Sequence, residues 1–441
     1  MKRTMALKAV AVLGAASLVL AACGGSDDAA TEAQEQVEDV VEQVEDVVEP
    51  AGDCQNDTLI VGSLLPATGG LAFLGPPEFA GVNKALAEID AAGGVLGSPV
   101  VYYEGDSGDL SNQVYNQTVD SHLAQGVQVI IGAAASGVTL QVVDRITANG
   151  VLQISPANTS PALTFTNNED RGLYWRVAPS DALQGAILAQ VAIDQGIESI
   201  AVAARDDSYG VGLMNALVSE FEAAGGTVTY AESYEPETPS FNAEVTAIKA
   251  TNPDAIAVIS FEEGTKFLQE MITQDVGPQQ KQVYLVDGNI STTAYEDFPA
   301  GTMNGVIATV PTGEGDLTAF NESLLEVDPN LTDFAYGAQA YDSTILIALA
   351  AEAAGCGDGT AIASKMVEVA SEGGTKCTSF AECKELIAQG ETIDYDGVIG
   401  PLDLSAVGDP LVGTIQINEY DSNTSFVEIG RVTEVVPLPA S

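Results

Sequence analysis

Two stretches, IIGAAASGVT (130–139) and LQISPANTSPALT (152–164), decide how this chain is read. Each opens as a short run rich in apolar residues and breaks off into small, hydroxyl-bearing ones. Runs this short, flanked by Gly and Asn, are buried parallel strands more often than helices. In the first, Ser136 stands where the strand gives way to the next helix. In the second, Asn158 and Thr159 follow the strand end. Small side chains let a ligand approach backbone N–H groups, and N–H groups free at a helix start attract an anion such as a carboxylate. Two such ends on adjacent strands outline a ligand crevice at the edge of a parallel sheet.

The same alternation runs outward in both directions. From Thr58, TLIVGSLL precedes a helix expected over Pro77–Ala91, then PVVYYEG and a helix over Leu110–Gln125. A helix near Val138–Ala148 separates the two opening stretches. A second series starts after Trp175, with helices expected over Asp181–Gln195, Val211–Ala224, Asn242–Thr251 and Lys266–Thr273. Between them lie the strands SIAVAA, TVTYAESY, AIAVIS and QVYLVD. This pattern indicates an α/β architecture with mainly parallel sheets. The 384 residues from Thr58 to Ser441 exceed one comfortable core, so two lobes are expected. The two series also echo each other: AEIDAAGG precedes VVYYEGDS as EFEAAGG precedes TVTYAESY. In both, a helix ends at paired glycines, where positive φ is easily reached. Asp316–Ala388 reads as largely helical and returning to the first lobe. GTIQINEYDSNTSFVEIGRV reads as a strand pair turned at Asp421-Ser422-Asn423.

The N-terminus describes export. MKRTMALK followed by the 14 apolar residues Ala9–Ala22 has the form of a signal peptide, too short for the ~20 residues of a membrane-spanning helix. The run ends Leu20-Ala21-Ala22-Cys23-Gly24, which looks like a bacterial lipobox, with Cys23 the lipidated first residue of the mature protein. Residues 24–57 hold twelve acids and no Lys or Arg, including the heptad-like EQVEDVVEQVEDVVEP. Two heptads are too few for a secure coiled coil, and Glu38–Glu42 and Glu45–Glu49 set like charges at i,i+4. The segment therefore reads as an acidic tether. From residue 58 on, 12 Lys and Arg face 51 Asp and Glu, a surface that disfavours nucleic acid and anionic membrane.

Four cysteines remain, an even count that in an exported chain favours disulfides. Cys377 and Cys383 are close enough for a local bridge. Cys54 precedes the first strand and Cys356 follows a long helix, so Cys54–Cys356 is the expected partner bridge. No metal site is expected, since there is no CxxC and His122 is the chain's one histidine. His122 falls inside an expected helix and reads as a structural residue. Without a G-x-S-x-G, P-loop or G-x-G-x-x-G in strand–helix context, binding fits better than catalysis, and no cofactor is expected.

LIVGSLLPATGGLAFLGPPEFAGV, EIDAAGGVLG, VIIGAAASGVT, ISPANTSPALT, DDSYGVG, LVDGN and YDGVIGPLDLSAVGDP, in that order and spacing, carry a resemblance. From Thr58 onward the chain resembles the type I periplasmic binding proteins of branched-chain amino acid ABC transporters. The resemblance implies two similar lobes joined by three crossing strands, placed near Trp175–Pro179, Ile307–Pro311 and Leu411–Thr414. It divides the chain into residues 58–176 with 310–411 for lobe 1, and 177–309 with 412–441 for lobe 2. By the same resemblance, Ser136 would receive an amino-acid carboxylate, and Ala157 and Thr159 would bind the carboxylate and ammonium. Tyr209 would reach across from the second lobe, Asp287 would pair with the ammonium, and Leu74 and Tyr336 would line the side-chain pocket. The sequence departs from close amino-acid binders at Phe261-Glu262-Glu263, where a tyrosine-rich loop is expected, and at Asp287, where Glu is commoner. Amides and urea-like solutes therefore stand beside an aliphatic amino acid as candidate ligands. The implied protein is a monomeric, lipid-anchored binding component at the outer face of the cytoplasmic membrane or in the periplasm. It would deliver its ligand to an ABC permease driven by an ATPase. The alternatives are a ligand-sensing lipoprotein and a lipid-anchored hydrolase.

Overall fold

The computed structural model describes residues 54–164, 171–371 and 373–437. The expected signal peptide (1–22), the expected lipidation site Cys23 and the part of the expected tether up to residue 53 lie outside the described residues. No helix among the described residues is long and apolar enough to cross a membrane.

The first lobe is built on a five-stranded, wholly parallel sheet. Its strands are β1 (Ile60–Leu64), β2 (Val101–Tyr103), β3 (Val129–Gly132), β4 (Leu152–Ser155) and β5 (Tyr174–Arg176), in the order β2-β1-β3-β4-β5. Both β3 and β4 are buried along their full length, as short apolar runs covered on both faces require. Helices α1 (Gly75–Ala91), α2 (Tyr115–Ala124) and α3 (Ser136–Thr147) provide the crossovers. The chain then crosses to the second lobe through α4 (Asp181–Asp194), which Ser180 caps by accepting the Ala182 N–H.

The second lobe carries a seven-stranded sheet in the order β15-β14-β10-β9-β8-β6-β7. Its strands are β6 (Ser199–Arg205), β7 (Thr227–Tyr234), β8 (Ala255–Ile259), β9 (Gln282–Val286), β10 (Ile307–Thr312), β14 (Val412–Ser422) and β15 (Ser425–Val435). Helices α5 (Ser208–Ala223), α6 (Asn242–Thr251) and α7 (Gly264–Thr273) alternate with the parallel strands. The parallel part ends at β10, which pairs antiparallel with β14, and β14 pairs antiparallel with β15. Links at residues 177–180, after β10 and before β14 thus make three crossings between the sheets.

After β10 the chain returns to cover the first sheet with α8 (Thr318–Leu324), α9 (Gly337–Ala354), α10 (Gly359–Ala363) and α11 (Phe380–Ala388). Helix α9 is buried without a break from Gly337 to Ala351, in keeping with the apolar run Ile345–Ala351 in its second half. It crosses α1 so closely that a Cβ on Gly81 would sit 2.1 Å from the Gly337 carbonyl oxygen. Only glycine permits that approach. Both expected disulfides are formed, Cys54–Cys356 and Cys377–Cys383.

Three local expectations need correction. The helix expected from Leu110 starts at Tyr115, because the Asp109 carboxylate accepts the Ser111 and Asn112 N–H groups in a tight turn and Gln113 takes φ 55°. The stretch 316–388 is not wholly helical. Thr375–Cys377 forms β11, which pairs with β12 (Ile393–Gly397), and β13 (Gly400–Pro401) completes a small third sheet. The last hairpin turns at Asn423-Thr424, slightly later than read. His122 is buried, and its Nε2 lies 2.8 Å from the Ser63 carbonyl oxygen, so the ring braces α2 on β1.

Candidate ligand-binding site

The C-terminal ends of β3, β4, β8 and β9 face one another across the gap between the sheets. There they line a narrow cavity. Leu74, Ser136, Ala157 and Thr159 line it from the first sheet, Tyr209 and Asp287 from the second, and Tyr336 from the turn before α9. Of the residues the sequence pointed to, all but Asn158 reach this space. The Asn158 amide instead donates to the Ala134 carbonyl (2.8 Å) and accepts the Tyr174 hydroxyl (2.9 Å), tying the end of β4 to that of β3. Larger, more open hollows of about 350 and 450 Å³ lie near the hinge strands and at the cleft mouth. Neither contains the converging strand ends.

One wall is rich in donors. Helix α3 begins at Ser136, and the first N–H groups of a helix have no intrahelical acceptor. The Ser136 hydroxyl oxygen accepts the Ser160 N–H (3.2 Å), which leaves its own proton free to donate. Ser155 pins the turn that carries Ala157 and Thr159. Its hydroxyl donates to the Ala133 carbonyl (2.7 Å) and accepts the Ala157 and Asn158 N–H groups. Beneath that turn Arg176, fully buried, donates to the carbonyls of Asn158 and Ser160 and to Thr164, and forms a two-pronged pair with Asp409. Burial works against the guanidinium charge, but the adjacent Asp409 more than restores it, and the Arg176 pKa is raised.

The opposite wall is acidic. Asp287 follows β9 and is buried. Its Oδ1 accepts the Tyr209 hydroxyl (2.8 Å) and the Gln184 amide (3.0 Å), and its Oδ2 accepts the Tyr336 hydroxyl (2.8 Å). Burial raises its pKa, and these three donors pull it back. Asp181, at the start of α4, is wholly buried. Its pKa is pushed well up by burial and by the charge of Asp287, while the Thr159 side chain pulls the other way. Glu78 on α1 is buried with neither carboxyl oxygen partnered, and burial raises its pKa strongly.

Aromatic residues close the space. Tyr209 stacks on Phe261 at 5.3 Å between centroids, and the Arg205 guanidinium lies 3.5 Å from the Phe261 centroid. Arg205 is held in turn by Asp207 and Glu263. The departure noted at Phe261-Glu262-Glu263 is thus a different way of making the same wall: Phe261 packs and Glu263 orients a cation behind it. Tyr336 adopts φ 60°, a costly conformation for a bulky residue, and its hydroxyl bond to Asp287 helps hold it there. Leu71, Asp181 and Gln184 were not picked out in the sequence. Asp181 looked like an ordinary acid in the first turn of a helix, and nothing local marks Gln184 as facing β9.

The lobes already touch here. Tyr336 reaches Asp287 across the gap, and the Ser160 hydroxyl donates to the Ser208 carbonyl (2.8 Å). A cavity with N–H and hydroxyl donors on one side and a buried acid on the other matches a small zwitterion. Low dielectric strengthens both interactions.

The comparisons with known proteins agree with this fold. The model of the family described as periplasmic binding protein matches residues 58–423. A chemotactic signal transduction system substrate-binding protein, BasB, of Halobacterium salinarum is 24% identical over 362 residues, covering 80% of this chain and 85% of the relative. The structure of a leucine binding protein, LivK, from Thermotoga maritima superposes with a TM-score of 0.70 at 21% identity, over 85% of this chain and 99% of that one. An ABC transporter solute binding protein from R. palustris, in complex with 4-hydroxybenzoate, superposes with a TM-score of 0.70 at 19% identity, over 87% of this chain and 98% of that one. With its two α/β lobes and a family match over most of its length, the chain belongs to the periplasmic binding proteins.

Proposed function

We propose that this protein is the extracytoplasmic substrate-binding component of an ABC importer and that it carries a small α-amino acid, first of all an aliphatic one. The observation that carries this reading is the cavity that joins a donor-rich helix start at Ser136 to a buried acid at Asp287. The carboxylate would sit on N–H groups near Ser136 and Thr159 and the ammonium on Asp287, with Leu74, Leu71 and Phe261 around a short apolar side chain. An aromatic acid fits less well, because a second anion would face Asp287 without a cation to offset it. Ligand between the lobes favours the closed form only by its differential affinity for that form. The closed form would then dock on a permease driven by an ATPase. The moving bodies are taken as 58–176 with 310–411, and 177–309 with 412–441.

Cys23 would anchor the protein by lipid at the outer face of the cytoplasmic membrane or in the periplasm, with residues 24–57 as a spacer and the protein as a monomer. A sensing role is the second reading, favoured by the name of the Halobacterium salinarum relative. A thermal-shift screen of the full chain against leucine, isoleucine, valine, 4-hydroxybenzoate, acetamide and urea tests the ligand class. Stabilisation by aliphatic amino acids is expected. A response to the acid or the amides alone would refute the amino-acid reading.

A further inference from the structure

We propose that the hollow beside the hinge strands is a second ligand site, built for a neutral polyhydroxyl molecule the size of a monosaccharide or cyclitol. This goes beyond the amino-acid reading and does not depend on it.

The hollow measures about 350 Å³, within the ~300–1,000 Å³ usual for small-molecule sites. It shares a single lining residue, Tyr336, with the cleft cavity. Strands β10, β14 and β15 bound it on one side, and α8 and the start of α9 on the other. Successive residues of a strand point to opposite faces of its sheet. On β10, Thr309 faces α4, where its hydroxyl oxygen accepts the Gln184 amide (3.2 Å), whereas Val310 lines the hollow. The hollow therefore lies on the face of the second sheet turned away from α4.

Three amides reach this space with hydrogen-bonding capacity unused. Gln339, in the first turn of α9, is only 3% exposed, and neither end of its side chain has a partner among the described residues. The Asn321 Oδ1 on α8 is buried without a donor. Asn418 on β14 is buried and accepts the Gln416 amide (2.7 Å), but its own side-chain nitrogen has no acceptor among the described residues. Buried polar groups are rarely left so, and a molecule that supplies both donors and acceptors completes them. An amide offers a donor nitrogen and an acceptor oxygen, and a hydroxyl, which both gives and takes, meets either end.

The charged groups around the hollow are already committed. Arg431 donates to Glu428 (3.0 and 2.8 Å) and to the Gly313 carbonyl (2.7 Å). Asp316 accepts the Thr318 N–H (2.9 Å) and hydroxyl (2.6 Å). Asp333 accepts the Ala335 N–H (2.8 Å), and burial raises its pKa, which disfavours its charged form. Among the described lining residues no cation is left for an anionic ligand, and each carboxyl already has donors. What remains open is neutral and polar. Phe334, Phe426, Val310 and Leu317 add apolar surface beside it, against which the C–H groups of a sugar or cyclitol ring can rest.

Equilibrium dialysis of the full chain against labelled glucose and labelled myo-inositol tests this, with and without excess leucine. Saturable binding of one molecule per chain is expected for at least one of the two, and leucine should not displace it. Gln339→Met keeps the side chain's length but offers neither an N–H donor nor a carbonyl acceptor, and it should weaken that binding by about tenfold or more. Asn321→Leu, at a half-buried position on α8, should weaken it by about threefold or more and decides the matter should Gln339→Met not fold. No saturable binding of either compound up to about 10 mM, where a site of millimolar affinity would be filled, overturns the inference. Displacement by leucine overturns it too, since the molecule would then sit in the cleft, and so does binding unchanged in both variants. Failure of leucine to bind would refute the amino-acid reading alone, and the two variants would still decide the inference.

Discussion

Asp409→Asn isolates the contact that supports the donor wall. Arg176 and Asp409 are both fully buried, with Nε–Oδ1 at 2.7 Å and Nη2–Oδ2 at 2.9 Å. The two residues are 233 positions apart and join β5 to the segment that leads into β14. The guanidinium also holds the Asn158 and Ser160 carbonyls (3.3 and 2.9 Å) and the Thr164 hydroxyl (2.9 Å), so all five of its N–H groups have acceptors. Asparagine keeps the volume but leaves the Arg176 charge uncompensated and turns one acceptor into a donor facing a donor. Removing one partner of a buried pair costs about 3–5 kcal/mol. Against a total stability of roughly 5–15 kcal/mol, that is a large share. Equilibrium urea unfolding followed by fluorescence reads it directly, since Trp175, the chain's one tryptophan, adjoins Arg176. The double variant Arg176→Met, Asp409→Leu removes both charges but leaves the Asn158 and Ser160 carbonyls without donors. It should stay destabilised by about 2 kcal/mol or more. A loss under about 1 kcal/mol in Asp409→Asn would mean that the pair behaves like an exposed one, and the role given to Arg176 under the 158–164 turn would fail.

Four further outcomes follow from the same structure. Asp287→Ala should weaken leucine binding by well over about tenfold, as expected for loss of a charge-assisted hydrogen bond; unchanged affinity by calorimetry would remove Asp287 from the site. Replacing Cys54 and Cys356 by Ala opens a covalent link of sequence separation 302 and should lower stability by up to about 5 kcal/mol, measured by thermal unfolding with the unreduced protein as reference. Asp342, buried on α9 and accepting the Val398 and Ile399 N–H groups and the Tyr395 hydroxyl, has its pKa raised by burial to about 7. Its folded pKa exceeds its unfolded one, so stability should fall as pH rises from about 4 to about 7 and level off above; a carboxyl carbon-13 titration midpoint below about 5 would contradict this. Light scattering on chains with and without residues 24–50 should give monomers in both cases, and a dimer that needs the repeat would overturn the spacer reading.

The alternation of short apolar strands with amphipathic helices determined the α/β class and nearly all the strands, because a strand buried on both faces leaves a local imprint in β-branched and apolar residues. TVTYAESY and Asn242–Thr251 fall where the structure has β7 and α6. The small residues after β3 and β4 likewise marked one wall of the cleft, since a ligand's access to backbone N–H groups excludes large side chains locally. What remained invisible depends on contacts between residues distant in the chain. Asn158 looked like Thr159's equal, and only its distance from Ala134 and Tyr174 assigns it to bracing. Asp181 and Gln184 read as ordinary helix residues, and only the fold buries both and sets the Gln184 amide against Asp287, 103 positions away. Asp409 gave no sign of being the counter-ion of Arg176. Periodicity and small-residue ends are properties of a segment and can be read from it. Charge balance, burial and hydrogen-bond partners belong to the space where segments meet, and tertiary structure alone decided those.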